Sequence, residues 1–231
     1  MPVASTYALG KAALQSKCAQ EENQNHPGYV LADGVRVYRP LTFRENLAAR
    51  VEDFNTLKDT RGKKRTLQDR LHLFDTSLNS CSSVAYKAGS TLFTIISQDQ
   101  ELLTLPRNFT MPSLRTEYPT HDVSLDSTKG KYNCGLTESD ILVHDAWLMA
   151  VEGDRVLLRE AASITFSLLN QRHTLVNGMG FYVHKSLTLN DEKKALFIGN
   201  LYGNSDAVGS YDLDSSRSFL RVAPSPRGRK R

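Results

Sequence analysis

The chain has 231 residues, 40% of them hydrophobic and 23% charged, with Lys+Arg 29 against Asp+Glu 25 for a formal charge of +4. That length can bury a sizeable core, and no run of about 18 apolar residues is present to cross a bilayer as a helix. The opening residues, Met1-Pro-Val-Ala-Ser-Thr-Tyr7, lack the charged and apolar regions of a signal peptide, so we expect a protein that is not secreted and is cytoplasmic and/or nuclear. Cys18, Cys81 and Cys134 are widely spaced and form no CxxC pair, a pattern of reduced, partly buried thiols.

In chain order, residues from about Thr6 to Glu22 favour a helix, which we assign to a helical N-terminal arm over 1–24. Asp33-Gly34 between Tyr29-Val-Leu-Ala and Val35-Arg-Val-Tyr38 is a type I′ hairpin signal. Thr42-Phe-Arg-Glu45 has the form of a capping box, and Phe43, Leu47, Val51, Phe54 and Leu57 then line one helical face. A further helix is expected from Thr66, bringing Leu67, Leu71, Phe74 and Leu78 together. Between the two lies a basic cluster, Arg61-Gly-Lys63-Lys64-Arg65.

Near Cys81 the character changes to short strands rich in Val, Ile, Thr and Phe: Ser82 to Tyr86, Ser90 to Ser97 and Leu102 to Leu105. Pro106 to Gly135 reads mostly as loop. Thr137-Glu-Ser-Asp140 again has the form of a helix cap and leads into Ile141 to Val151, with the one Trp of the chain. After a turn at Gly153, residues Val156 to Leu169 fit a helix whose buried face carries Leu157, Leu158, Ala161, Ile164, Thr165 and Leu168. Sheet returns over Thr174 to Leu189 and Ala195 to Tyr202. The fold class expected is α+β: a single compact domain over 25–204 of mixed helices and short, mostly antiparallel strands. A disordered basic tail over 205–231 completes the chain.

Candidate chemistry is sparse. His121-Asp122 and His144-Asp145, with His72, supply the residue types of a metal-dependent phosphohydrolase, although His144 falls in an apolar helix. Asp191-Glu-Lys-Lys194 contains the acid-x-Lys element of two-metal nucleases, but it reads as a charged turn with no acid on a preceding strand to complete it. Gly178-Met-Gly180 and Gly199-Asn-Leu-Tyr-Gly203 lack the helix and Lys of a phosphate cradle. Cys134 beside a helix start is the candidate nucleophile among the thiols. We expect no catalytic residues, no metal and no cofactor.

The basic segments are the stronger signal. Six positive side chains, Arg217, Arg221, Arg227, Arg229, Lys230 and Arg231, follow Asp214 with no acid among them, so the rest of the chain is slightly acidic. Such a run sits on phosphates and releases counterions, and Phe219 between Arg217 and Arg221 can stack on a base. With Arg61, Lys63, Lys64 and Arg65, these residues form the candidate nucleic-acid-binding or nuclear-localisation set. The expectation is a non-enzymatic binding and assembly protein that contacts nucleic acid, a nucleoprotein or an anionic membrane surface, and that forms a homo-oligomer. The alternatives are a small metal-dependent hydrolase or nuclease, and a nuclear adaptor whose tail engages an import receptor. The profile is similar to that of small viral matrix or movement proteins, and the stretch carrying Thr137, Ser139, Asp140 and Trp147 resembles the first core helix of rhabdovirus matrix proteins. That resemblance implies a host-cell nuclear or cytoplasmic setting and assigns no residue roles.

Overall fold

Thr42 and Glu45 cap a helix reciprocally, as their spacing predicts. The Thr42 amide donates to Glu45 Oε2 at 2.8 Å, and the Glu45 amide donates to Thr42 Oγ1 at 3.1 Å. This helix, α1 (Phe43–Asp59), is the first in a computed structural model that describes residues 7–12, 41–59, 73–75, 77–99, 111–117, 131–132, 136–171, 178–183, 190–201, 205–209 and 217–222. Phe43, Leu47 and Val51 are buried and Phe54 partly so. Asn46 and Arg50, one turn apart between them, are buried on the same helix.

Among the described residues three further helices follow, α2 (Glu138–Ile141), α3 (Asp145–Ala150) and α4 (Arg155–Gln171). The expected capping box at Thr137 is present, with Asp140 as its reciprocal partner. Gly153 turns the chain with φ of 79°, and Asp154 then caps α4 by accepting the Leu157 amide at 3.0 Å. The buried face of α4 is Leu158, Ala161, Ala162, Ile164, Thr165, Leu168 and Leu169, close to the predicted face. The two long helices are tied by Arg44 to Asp154 at 2.7 Å and by Asn55 to Glu160 at 2.6 Å.

The strands are β1 (Tyr7–Ala12), β2 (Leu78–Tyr86), β3 (Leu92–Ile96), β4 (Thr116–Glu117), β5 (Lys131–Tyr132), β6 (Phe181–Tyr182), β7 (Glu192–Ile198), β8 (Ala207–Val208) and β9 (Arg217–Val222). They form one curled, mixed sheet of order β1-β9-β2-β7-β8-β6-β5, with β3 on β2 and β4 on β3. The β2–β9 and β6–β8 pairs are parallel and the others antiparallel. Helices and this sheet together make an α+β arrangement. Every residue of β2 is buried, because it lies in the middle of the sheet.

Registers sort the sheet into two sides. Leu78, Val84 and Tyr86 of β2 lie on the side of Leu196 and Ile198 of β7, and all five belong to the main apolar core with Phe43, Trp147 and Phe181. The other side holds Asn79, Ser83, Ala85, Lys193, Ala195 and Phe197.

Four expectations need correction. Residues 7–12 are strand β1, not helix: a Gly in a helix interior costs about 1 kcal/mol, whereas as a strand Gly10 and its neighbours gain a full ladder with β9. Residues 217–222 are strand β9, not disordered tail, because Ser218, Leu220 and Val222 alternate with Arg217, Phe219 and Arg221 at the period of a strand. Leu78 opens β2 instead of closing a helix, and Phe74 is buried in a turn. Glu192 to Lys194 belong to strand β7, not to a turn. The hairpin at Asp33-Gly34, the strand over 102–105 and residues 13–40, 60–72, 118–130 and 223–231 lie outside the described residues.

Candidate nucleic-acid interface

Strand β9 is held on both sides. Its whole length pairs with β1, from Arg217↔Ala12 to Val222↔Tyr7, and its start pairs in parallel with β2 at Leu78↔Ser218 and Asn79↔Phe219. Residues on adjacent strands that share a register position lie on the same side of a sheet. Arg217, Phe219 and Arg221 therefore occupy alternate positions on Asn79's side, and Ser218, Leu220 and Val222 occupy the positions on the side of the apolar core. Lys11 of β1, opposite Ser218, falls on the core side. Of the basic set read from the sequence, Arg217 and Arg221 are thus brought into the sheet; Arg61, Lys63, Lys64, Arg65, Arg227, Arg229, Lys230 and Arg231 lie outside the described residues.

The same side of the sheet carries a buried polar cluster. Lys193 Nζ lies 3.2 Å from Asp99 Oδ2, with side-chain exposures of 2% and 3%, and Ser83 Oγ donates to Asp99 Oδ2 at 2.6 Å. The Asp99 amide donates to Cys81 O at 2.8 Å, so the aspartate is fixed by backbone as well as side chain. The sequence reading missed Asp99, which follows β3 and faces Lys193 across β2. The acid-x-Lys element does have an acid partner, but the pair is closed off from solvent, which is an ion-pair geometry and not an open two-metal site.

Next to this cluster β2 bulges. Its register against β7 jumps between Asn79↔Phe197 and Ser83↔Ala195, leaving Ser80 to Ser82 opposite Leu196. The extra residues serve as a junction. Ser80 Oγ donates to Leu196 O, the Cys81 amide donates to Leu41 O at 3.0 Å, and Ser82 Oγ accepts the Phe43 amide at 2.8 Å while donating to Ser97 O at 2.5 Å. Asn46 Nδ2 donates to Asn79 O at 2.9 Å. Arg50 Nη2 donates to Gly199 O at 2.8 Å, with the guanidinium over the Phe74 ring at 5.6 Å from its centroid. Burial pushes the Arg50 pKa down to about 9, against the opposing charge of Asp75, so the side chain is still a cation at neutral pH.

The His-Asp pair at 144–145 also differs from its reading. His144 is not inside a helix: it has extended backbone and is the N-cap of α3, where its Nδ1 accepts the Trp147 amide at 3.4 Å. Its ring stacks on Phe181 at 6.2 Å, while Asp145 points outward and is exposed. Among the described residues no three His, Cys, Asp or Glu side chains are grouped to hold a metal ion; His72, His121, Asp122 and Cys134 lie outside them. The Cys81 side chain is buried.

Burial lowers the His144 pKa to about 4, with the Asp145 and Asp140 carboxylates pulling the other way. The unfolded chain, with an imidazole near its ordinary 6.5, then binds a proton that the folded state refuses. Stability is complete above pH 6.5 and falls as the pH drops from there to about 4. Discounted for the partial wetting of the ring, the loss is on the order of 2 kcal/mol. His144→Asn keeps an N-cap acceptor and removes the titration, so denaturation at pH 7 and pH 4.5 should show a smaller difference in the variant than in the parent. Equal differences would refute a buried neutral imidazole.

Comparison with known protein families, with curated proteins and with solved structures finds no match for this chain. Among the described residues, no helix is long and apolar enough to cross a membrane.

Proposed function

We propose that the chain is a non-enzymatic binding and assembly protein: one α+β domain that takes in β1 and β9 and engages a polyanion, nucleic acid foremost, through its basic segments. The observation that supports this reading is the alternation of Arg217, Phe219 and Arg221 along β9, a strand paired on both sides. Cations on a paired strand have a fixed backbone spacing, so less ordering entropy is lost on binding than from a free tail. The cluster Arg227 to Arg231 follows within a few residues and adds charge to the same end of the chain.

The test is binding of the full chain to single-stranded RNA and to duplex DNA across a salt series, beside Arg217→Gln/Arg221→Gln and a chain ending at Val222. Ending the chain at 214 would remove β9 and unpair β1, confounding charge with folding. Steep salt dependence in the parent is expected, with a slope of log K against log salt that is shallower by about 2 in the double variant. Absence of binding by the parent at low salt would overturn the reading. A parent slope unchanged by the double variant and abolished in the shortened chain would move the site to residues 223–231.

A further inference from the structure

We infer that the end of the helical layer where α2, α3 and α4 meet is a docking surface for the chain's own basic segment, residues 223–231. Among the described residues Val143 and Val156 are the most exposed large apolar side chains, at 69% and 75%. Exposed valines scattered singly need no explanation, but these two stand together. Arg155 Nη1 donates to Leu142 O at 2.9 Å, which joins the residue just before Val156 to the residue just before Val143. Val143 holds the bend between α2 and α3, and Val156 lies in the first turn of α4.

Charge selects the occupant. Asp140, Asp145 and Glu152, on the same helices and turns, are exposed. The Thr137 hydroxyl and amide donate to Asp140 and hold its carboxyl below the usual range, so it stays anionic. Over residues 136–160 six acids stand against two arginines, and Arg44 neutralises one of the six, Asp154. Such a surface repels nucleic acid and anionic lipid, and attracts a cationic segment with apolar groups of its own. Ala223-Pro-Ser-Pro-Arg-Gly-Arg-Lys-Arg231 has four bases, no acid and two prolines; proline favours an extended form and presents an apolar ring. The other basic cluster, Arg61 to Arg65, is flanked by Asp59 and Asp69 and has no proline. Tethered directly after β9, residues 223–231 span about 30 Å when extended and act on their own molecule at high effective concentration, ahead of a second copy. Docked there, Arg227, Arg229, Lys230 and Arg231 are withheld from phosphate until a polyanion displaces them. That consequence rests on the polyanion reading above; the contact itself does not.

The experiment titrates a fluorescent peptide of residues 223–231 into full-length proteins and reads its anisotropy. Arg227→Gln/Arg229→Gln/Lys230→Gln/Arg231→Gln frees the surface, and that chain should bind the peptide roughly tenfold more tightly than the parent, whose own segment competes. Adding either Val143→Ser/Val156→Ser or Asp145→Asn/Glu152→Gln to it should abolish the gain; all four side chains are exposed, so neither pair disturbs the core. Equal peptide binding by the parent and the neutralised chain, or binding unchanged by both surface pairs, would overturn the inference. So would parent oligomers in sedimentation that dissolve when the tail is neutralised, because the segment would then dock on a second copy. Single-stranded RNA is the separate arm. Val143→Ser/Val156→Ser changes no charge and should raise the parent's affinity for RNA; an unchanged affinity in a parent that binds RNA would overturn the withholding. RNA bound by no form would overturn the polyanion reading and leave the peptide result standing.

Discussion

Replacing Lys193 with alanine should destabilise the fold by about 3–5 kcal/mol, the usual cost of leaving a buried charge without its partner. Lys193 and Asp99 are almost completely shielded from water, and water cannot take over the solvation that each gives the other. Ser83 donates one hydrogen bond to the aspartate, which softens the loss without supplying a charge. The paired replacement Asp99→Asn with Lys193→Met removes both charges and keeps most of the volume, so it should recover most of the stability. Urea denaturation of the two variants beside the parent distinguishes the outcomes. A Lys193→Ala protein within 1 kcal/mol of the parent would mean that the pair is hydrated in solution.

A loss of similar size is expected for Trp147→Ala, about 3–5 kcal/mol. The indole is fully buried, tilted against Phe43 at 5.6 Å and edge-on to Phe181 at 5.9 Å. These two contacts join α3 to α1 and to β6. Its N–H donates to Met179 O at 2.7 Å, and Met179 holds a left-handed backbone with φ of 58°. Trp147→Phe keeps a ring and drops the donor, leaving that buried carbonyl unpaired, for a smaller cost of about 1–3 kcal/mol. As the one Trp of the chain, its emission reports the parent's unfolding directly; circular dichroism serves for the variants. Equal stability of Trp147→Phe and the parent would show that the Met179 carbonyl finds another donor.

What the sequence revealed follows from where apolar periodicity and cap chemistry decide the structure. The caps at Thr42 and Thr137 and the faces of α1 and α4 are local patterns, and they appear where the spacing puts them. The centre of the sheet was harder to read because it breaks the inside-outside rule. Asn79, Ser80, Ser82 and Ser83 are polar yet buried, since their partners Asn46, Leu196, Phe43, Ser97 and Asp99 come from distant parts of the chain. Lys193 was read as part of a solvated turn for the same reason. In β9 the count of arginines concealed an ordinary two-residue alternation, and in β1 helix-forming alanines concealed a strand that pairs with β9. The candidate interface was therefore legible as composition but not as geometry.

The pairing of β1 with β9 joins residue 7 to residue 222, which sets a condition on how the molecule is made. At a synthesis rate of about 5–20 residues per second, β1 waits roughly 10–40 s for its partner strand to be translated. During that interval its backbone donors and acceptors are open to any other extended chain nearby. Closing so long a loop adds little to the equilibrium cost, because the entropy grows only with the logarithm of its length, but it delays completion of the sheet. Strand β9, the last of the described strands to leave the ribosome, is thus both the proposed ligand-binding element and the one that shields β1, so nascent chains interrupted before it should be the ones that aggregate.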